Sequence, residues 1–297
     1  MSKISLVVVT YNRLALLKEC MESVFKFSDL LSHIIIVDNA SDLETKNYLV
    51  SLGNKIDYIR LEKNLGGAGG FYIGIKYFTE KTSDDYVWVM DDDTIPNKKS
   101  LNELIKAAQK FNSFGFLASD VRWIDGSPAK MNIPSVEDDL WTENKDYVRL
   151  KRATFVSIVI SRVAIETVGY PIKEFFIWGD DTEYTKRISS KFASYFVGSS
   201  EVLHKMKGNI GADLMNDSVE RIDRYFYAYR NRYYNAKHSS KKVYTKYRLR
   251  VLNEALQLLF GSYKNKFRRL SVLIKGTFAG IFFKPDIEVR HKLNDKV

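Results

Sequence analysis

Short apolar runs alternate with segments of helical periodicity through residues 1–120. Runs rich in β-branched residues predict buried strands, and apolar residues at steps of three and four predict helices between them. The predicted strands are residues 6–10, 33–38, 56–62, 86–91 and 114–119, and the predicted helices begin near Leu14 and cover residues 70–81 and 99–111. This alternation is typical of βαβ units, so it predicts an α/β fold with a mostly parallel sheet and helices on both faces.

The second half of the chain is less regular. Residues 127–151 are polar and acidic and contain two of the five prolines, which predicts a surface loop. The pattern then predicts a buried strand over 155–161, a helix over 180–190 and strands over 194–198 and 201–205. From about Asp217 onward the pattern is helical. We therefore predict an α/β domain over 1–216 and a helical region over 217–297.

Composition places the chain among ordinary globular proteins. It has 297 residues, of which 45% are apolar and 28% charged, and this argues against a largely disordered chain. Cys20 is the only cysteine, which excludes an intramolecular disulfide framework and a cysteine-rich zinc module. The apolar run near the N-terminus is too short for a signal peptide, and no stretch approaches the roughly 18 apolar residues that a membrane span needs. We expect a cytoplasmic protein.

Charge is divided unevenly along the chain. The net charge is +10, but residues 221–297, here called the basic region, contain 19 Lys and Arg against 5 Asp and Glu. Within it, apolar and basic residues recur at helical spacing: Leu270, Leu273, Ile274, Phe278 and Ile281 beside Lys266, Arg269 and Lys275. Such helices are typical of binding to anionic membrane surfaces. The alternatives are a helical cap on the preceding domain, self-association, and nucleic-acid binding through the aromatic and basic stretch 225–237.

Polar residues follow the predicted strands of the first domain. Thr10, Asn12 and Arg13 end the first strand, Asp38 ends the second, and Asn64 follows the third. Ligands of open parallel sheets bind at the carboxyl ends of the strands, so these side chains are candidates for a binding site. Turn formation and helix capping are the alternative explanation for Asp and Asn at such places.

Three aspartates, Asp91, Asp92 and Asp93, directly follow the apolar run of the fourth strand, and together they are called the aspartate triplet. Adjacent carboxylates repel one another, and a bound cation is the simplest compensation. Hard oxygen ligands favour Mn²⁺ or Mg²⁺, and Asp91 and Asp93 point the same way in an extended chain, so they could share the ion. A solvated acidic loop is the alternative.

Residues 64–70, the glycine segment, contain four glycines between a predicted strand and a predicted helix. Glycine permits a ligand to approach the backbone closely, and amide groups at a helix start bind anions. The segment, which includes Gly66 and Gly67, has neither the GxGxxG spacing of dinucleotide-binding enzymes nor the spacing of a P-loop, so both classes are disfavoured. A tight turn without a ligand is the alternative.

A second acidic group follows an aromatic run. Residues 175–184, the aromatic–acidic segment, place Trp178 shortly before Asp180 and Asp181. Carboxylates beside aromatic rings gain a raised pKa, as a general base requires, although favourable charge at a helix start also explains them. His204 ends a later predicted strand, where a single histidine is more often structural than functional.

The order of these motifs resembles that of family 2 glycosyltransferases of the GT-A fold. VVVTYNR, VDNAS, NLGGAGGF, MDDDT and FIWGDDTEY occur in this order and are followed by His204, so the resemblance covers about residues 4–205. The glycine segment and the aromatic–acidic segment are most similar to those of galactofuranosyltransferases, and rhamnosyltransferases are similar but differ in both segments. One departure from the family pattern is Gly179, which stands between Trp178 and Asp180.

The resemblance implies a role for each matching residue. Asp91 and Asp93 together with His204 would hold Mn²⁺ or Mg²⁺, and Asp181 would be the general base. The following residues would bind the nucleotide sugar: Thr10, Asn12, Arg13, Asp38, Asn64, Gly66, Gly67, Asp91, Asp92, Trp178 and Asp180.

The implied activity is the transfer of a hexose, with inversion, from a nucleotide sugar to a hydroxyl group of a cell-surface polysaccharide or a lipid-linked glycan precursor. UDP-galactofuranose is the favoured donor, and dTDP-rhamnose is the alternative. A nucleic-acid-binding protein would leave the acidic motifs unexplained, and the intact aspartate triplet, Asp181 and His204 argue against a catalytically silent scaffold. We expect no nucleic-acid partner, and we expect a cytoplasmic enzyme that associates peripherally with the inner face of the cell membrane.

Overall fold

A computed structural model describes residues 3–137 and 146–289. The described residues form one ten-stranded sheet, in which β5 pairs with β10 and the other strands follow the order β3-β2-β1-β4-β9-β6-β10-β8-β7. The strands are β1 (Ile4–Thr10), β2 (His33–Asp38), β3 (Asp57–Arg60), β4 (Tyr86–Asp91), β5 (Thr94–Ile95), β6 (Phe116–Arg122), β7 (Ser135–Val136), β8 (Tyr147–Arg152), β9 (Ser157–Ser161) and β10 (Tyr195–His204).

The direction of the strands places their carboxyl ends at one edge. β1 runs parallel to β2 and β4, and β3 runs parallel to β2. β9 lies antiparallel between β4 and β6, so β6 and its parallel neighbour β10 point the same way as β4. The predicted mostly parallel sheet is thereby confirmed.

Helices cover both faces of the sheet, as the alternating pattern predicted. α1 (Leu14–Phe25), α2 (Leu43–Ser51) and α4 (Lys98–Lys110) pack on one face, and α3 (Gly66–Lys81), α5 (Arg162–Val168) and α6 (Asp180–Ser189) pack on the other. β1 shows why its sequence is uniformly apolar. Leu6 and Val8 enter the first layer, whereas Val7 and Val9 enter the second, so each residue of this strand is buried.

The predicted surface loop over 127–151 is wrong in part. It contains β7 and β8, and β8 pairs antiparallel with β10. The charged residues of β8 are exposed, while Val148 and Leu150 on its other face are buried, and this alternation was hidden by the overall polarity of the segment. Residues 138–145 of the predicted loop lie outside the described residues. The two strands predicted over 194–198 and 201–205 are one strand, β10, whose register with β6 shifts between Val197 and Glu201.

The C-terminal part is helical, as predicted. It consists of α7 (Tyr225–Lys237), α8 (Lys241–Phe260) and α9 (Lys266–Phe282), and residues 290–297 lie outside the described part. α9 approaches α7 closely because Gly276 has no side chain; a Cβ there would lie 2.6 Å from the carbonyl oxygen of Phe226. None of the described helices is long and apolar enough to cross a membrane. The division at residue 217 stays a prediction.

The predicted amphipathic pattern of 266–281 divides between two faces of α9. Leu273 and Arg269 are buried, and the Arg269 guanidinium donates to the carbonyl oxygen of Asp217 at 2.7 Å. These two residues therefore belong to the helical core and not to an outer surface. Ile274 and Phe278 are exposed, as a surface-binding helix requires.

Candidate active site

The carboxyl edge of the sheet collects most of the predicted site residues. Thr10, Asp38 and Asp91 end β1, β2 and β4, and His204 ends β10. β5, directly after the aspartate triplet, pairs with the end of β10, with Thr94 opposite His204. The sheet itself therefore brings His204, distant in sequence, next to the triplet.

Asp91, Asp93 and His204 form a group that could hold a metal ion, here called the Asp–His cluster. One ligand atom from each residue lies within 4.8 Å of the others. His204 Nε2 is 3.0 Å from Asp93 Oδ1, and His204 Nδ1 is 2.9 Å from Oδ1 of the buried Asn132. Asn132 Nδ2 donates to the Thr154 hydroxyl at 3.0 Å. An amide oxygen on Nδ1 favours the tautomer in which Nε2 is free to bind a cation.

Asp92, the middle residue of the triplet, has different partners. The Thr10 hydroxyl donates to Asp92 Oδ2 at 2.7 Å. Arg13 Nη1 lies 3.3 Å from Asp92 Oδ1 and 2.6 Å from Asp93 Oδ2. Thr10 and Arg13 thus fix the triplet from the end of β1, which leaves the Asp91 carboxylate to the Asp–His cluster.

The triplet concentrates more negative charge than its surroundings neutralise. Burial, with the charge of Asp93 adding to it, raises the pKa of Asp91 to about 6. Burial also raises the pKa of Asp92 to about 7, although Arg13 opposes the shift. Burial acts on Asp93 as well, but its contact with His204 and the charge of Arg13 hold the pKa of Asp93 below its usual value. Two oxygen donors and one imidazole nitrogen around this excess charge fit a divalent cation such as Mn²⁺ or Mg²⁺.

Asp38 is fully buried and engaged by the protein itself. Its Oδ1 accepts from the Ser41 amide at 2.7 Å, and its Oδ2 accepts from the Tyr58 hydroxyl at 2.8 Å and from Arg60. Asn12 is linked to the same turn, because its backbone N–H donates to the Ser41 hydroxyl at 3.1 Å. Tyr58 and Arg60 were not predicted, since β3 was identified only by its strand pattern. Tyr58 and Arg60 therefore surround the Asp38 carboxylate at this end of the sheet.

The glycine segment contains the first turn of α3. The helix begins at Gly66 and not at residue 70, so Gly66 forms the entry turn of α3, and Gly67 lies in its first helical turn. Gly66 has φ +73°, and a Cβ there would lie 1.9 Å from the carbonyl oxygen of Phe176, whereas a Cβ at Gly67 would meet nothing within 4 Å. Asn64 Oδ1 accepts from the Gly66 amide at 2.7 Å. Asn64 therefore shapes the turn, and the backbone at Gly67 borders open space.

The aromatic–acidic segment brings a second pair of carboxylates to the edge. Asp180 and Asp181 form the first turn of α6. Burial raises the pKa of both, and the Asp181 charge raises the pKa of Asp180 further. The charge of Asp181 also contributes to the raised pKa of Asp91, after burial and the charge of Asp93. Trp178 instead packs on Tyr225 of α7, with ring centroids 5.1 Å apart.

Comparison with known proteins identifies the family. The sequence profile described as "Glycosyl transferase family 2" matches residues 5–157, which is more than half of the chain. The chain belongs to glycosyl transferase family 2. It is therefore a glycosyltransferase, and the matched residues include β1, the glycine segment and the aspartate triplet.

Among its relatives is galactofuranosyltransferase GlfT1 of Mycolicibacterium smegmatis, 24% identical over 250 residues, which cover 77% of this chain and 81% of the relative. Solved structures show the same fold at low identity. S. aureus TarS 1-349 in complex with UDP-GlcNAc has a TM-score of 0.55 at 16% identity and covers 93% of this chain and 73% of that one. Mannosyltransferase PcManGT of Pyrobaculum calidifontis, in complex with GDP-Man and Mn²⁺, has a TM-score of 0.56 at 13% identity. The match covers 95% of this chain and 87% of that one. The fold of this glycosyltransferase is GT-A.

Proposed function

We propose that this glycosyltransferase transfers galactofuranose from UDP-galactofuranose to a hydroxyl group of a surface polysaccharide or of its lipid-linked precursor. The observation that supports a metal-dependent transfer is the Asp–His cluster beside Asp181. The likeness to GlfT1 supports galactofuranose as the sugar. A rhamnosyltransferase that uses dTDP-rhamnose is the alternative.

Asp91, Asp93 and His204 would hold Mn²⁺ or Mg²⁺. The ion, when bound, offsets the negative charge that grows on the departing diphosphate. Arg13 keeps Asp92 and Asp93 in place from the end of β1. The amide groups of the first turn of α3 border the open space at Gly67, where the backbone can approach the anionic donor.

Asp181 is the residue that would act as the general base. Its carboxylate takes the proton of the acceptor hydroxyl, whose oxygen then attacks the anomeric carbon. The nucleoside diphosphate leaves from the opposite face, so a single displacement inverts the configuration. Burial raises the pKa of Asp181, which increases its basicity toward the hydroxyl proton. Asp180 is more deeply buried than Asp181, which supports Asp181 as the residue that meets the acceptor.

Asp181→Asn should remove the base without changing the shape of the side chain. We expect turnover to fall about 10²–10⁴-fold, because a positioned base contributes on that order, while Mn²⁺-dependent UDP binding persists. Turnover with UDP-galactofuranose measures the loss of catalysis, and calorimetric titration with UDP measures the retained nucleotide binding. Asp125→Asn, at an exposed turn whose carboxylate accepts from the Ser127 amide, is the matched control. Undiminished turnover in folded Asp181→Asn would exclude Asp181 as the base.

The donor is tested by titrating the protein with UDP and with dTDP, each with and without Mn²⁺. Tighter Mn²⁺-dependent binding of UDP supports galactofuranosyl transfer. Tighter binding of dTDP favours the rhamnosyltransferase, and binding of neither nucleotide would contradict both.

The outer face of α8 and α9 supports a second proposal, that the enzyme works in the cytoplasm at an anionic membrane surface. α8 exposes leucines at steps of three and four residues, and Leu249 and Leu252 are 62% and 58% exposed. Exposed basic side chains accompany them: Lys246, Arg248 and Lys275. A homo-oligomer through the same face is the alternative, but it would bring like charges together.

Sedimentation with vesicles tests the membrane proposal. We expect binding to vesicles of phosphatidylglycerol but not to those of phosphatidylcholine, and we expect its loss when Leu252 and Leu256 are both replaced by Ser. Val163→Ser, at a residue that is exposed on α5, is the control. Dimers in solution without vesicle binding would favour self-association. Nucleic-acid binding is disfavoured, because Tyr225, Tyr229 and Tyr233 are buried and unable to stack on bases.

A further inference from the structure

The backbone that leads into Asp180 follows an uncommon path. Phe176 and Trp178 have φ values of 63° and 64°, and Gly179 has φ 91°. Residues with side chains rarely adopt positive φ, so such a segment keeps its shape only where its surroundings hold it. The residues that hold it therefore decide where α6, and with it Asp181, begins.

Asn231 of α7 is at the centre of this arrangement. It is fully buried, and its Nδ2 lies 2.9 Å from the carbonyl oxygen of Phe175, 3.0 Å from that of Ile177 and 2.8 Å from that of Trp178. The two hydrogens of one amide group are thus shared among three backbone acceptors of the same segment. Its Oδ1 accepts from Arg230 Nε at 3.0 Å, which fixes the orientation of the amide.

Two neighbouring contacts continue the same pattern. Asn235, one turn further along α7, donates to the carbonyl oxygen of Gly179 at 2.9 Å. On the opposite side, the amide of Ala68 in α3 donates to the carbonyl oxygen of Phe176 at 3.1 Å. The segment is therefore held between the glycine segment and α7.

We propose that Asn231 is a positioning residue for glycosyl transfer and that α7 is part of the catalytic unit. This inference rests on the proposed role of Asp181. Asn231 does not touch the reacting atoms; it holds residues 175–179 in the conformation that sets where α6 begins and thereby positions Asp181. The Asp–His cluster lies on other elements, so metal-dependent binding of the nucleotide should depend less on Asn231 than turnover does.

Asn231→Asp is the sharpest variant, because the aspartate has the same shape but presents oxygen atoms to three carbonyl oxygens. We expect kcat to fall about 10²-fold, the cost of a misplaced group at a site of this kind. Mn²⁺-dependent UDP affinity should change less than about twofold, since the hydrogen bonds that Asn231 donates go to residues 175–178 and not to the Asp–His cluster. Asn253→Asp, exposed on α8, is the matched control.

A second variant and a second readout distinguish a positioning role of Asn231 from a general loss of stability. Asn235→Ala removes only the bond to Gly179 and should lower kcat in the same direction but less. Quenching of Trp178 fluorescence by acrylamide, obtained by difference with Trp178→Phe, should increase in Asn231→Asp. That readout does not depend on which sugar is transferred, so it separates failure of this inference from failure of the proposed donor.

Two results would overturn the inference. One is a kcat in folded Asn231→Asp within about twofold of the wild-type value. The other is an activity loss that only follows the unfolded fraction, with Trp178 quenching unchanged at temperatures where the variant is folded.

Discussion

At the scale of single residues, the ligands of the proposed metal site depend on side chains that do not themselves bind the ion. Asn132 fixes the ring of His204 through Nδ1, while Thr10 and Arg13 restrain Asp92 and Asp93. Partners of this kind orient metal ligands and set their tautomer. The affinity for the ion should therefore respond to residues outside the Asp–His cluster.

Asn132→Ala should weaken Mn²⁺ binding about 10–100-fold, because His204 loses the acceptor that keeps Nε2 free. Calorimetric titration with Mn²⁺ measures the change directly. Asn216→Ala, at an exposed asparagine that bonds Asp213, serves as the control. An unchanged Mn²⁺ affinity in Asn132→Ala would show that His204 does not depend on this contact.

The raised pKa values of Asp91 and Asp92, about 6 and 7, predict a pH-dependent effect of the metal on stability. Carboxyls whose pKa is higher in the folded protein than in the unfolded chain destabilise the fold as the pH rises through the folded values. Bound Mn²⁺ offsets this charge, whereas protons compete with it below pH 6. The Mn²⁺-induced rise in Tm should therefore be larger at pH 8 than at pH 6.

Thermal unfolding with and without Mn²⁺ at the two pH values measures this difference. In Asp91→Asn the Mn²⁺-induced rise in Tm should be small at both pH 6 and pH 8. An equal rise at pH 6 and pH 8 in the wild type would contradict the linkage.

At the scale of elements, contacts between segments determine where α3 and α6 begin. The N-terminal ends of both helices face the site. Gly66 and Gly67 are neighbours with opposite requirements: at Gly66 a Cβ would collide with the Phe176 carbonyl, and at Gly67 it would enter open space. Gly66 is therefore required for packing, whereas Gly67 is free to border a ligand, although the two residues are adjacent.

Gly66→Ala should lower the free energy of unfolding by at least about 1–3 kcal/mol, from the strained φ alone. Gly67→Ala should leave stability unchanged or raise it by about 0.4–1 kcal/mol, yet weaken UDP binding if the donor lies in that space. Urea unfolding and calorimetry with UDP distinguish the two effects. A stable Gly66→Ala variant would contradict the close approach of Phe176.

The pattern of apolar positions predicted these elements well where burial is uniform. β2 and β4 were predicted to the residue, because apolar runs are bounded by polar residues at both ends. It failed at β8, where exposed charged residues concealed the buried Val148 and Leu150. It also placed the start of α3 four residues late, since glycines disfavour helices. Close neighbours explain them there: Phe176 at Gly66 and Val9 at Gly70.

At the scale of the whole molecule, two of the contacts that join the helical C-terminal part to the sheet domain connect residues far apart in sequence. Asn231 contacts the aromatic–acidic segment across 53 to 56 positions of sequence. No pattern in the sequence identifies such a contact, and for this reason Asn231, unlike Asp181, was not among the predicted site residues. The second contact is made by the chain after α9, which returns to α3.

A chain that ends at Phe282 should lose this second contact. Phe283 packs on Phe175 at 5.6 Å between ring centroids, and Glu288 bonds Lys76 at 2.6 Å. Loss of the partly buried Phe283 side chain predicts a free energy of unfolding lower by at most about 1.5–3 kcal/mol, measured in urea. Glu288→Gln, which weakens the surface ion pair with Lys76 but keeps an acceptor for the Tyr72 hydroxyl, should cost less than about 1 kcal/mol. Equal stability of the shortened and full chains would contradict this account.

The close fit between Gly66 and the Phe176 carbonyl also constrains how donor preference can be re-engineered. The glycine segment and the aromatic–acidic segment share one backbone contact, and Asn231 holds the far side of the second. A chimera that exchanges only one of them with a related transferase would bring a mismatched backbone against the other. Residues 64–70, 175–181 and the facing turn of α7 should therefore be exchanged together as a single cassette.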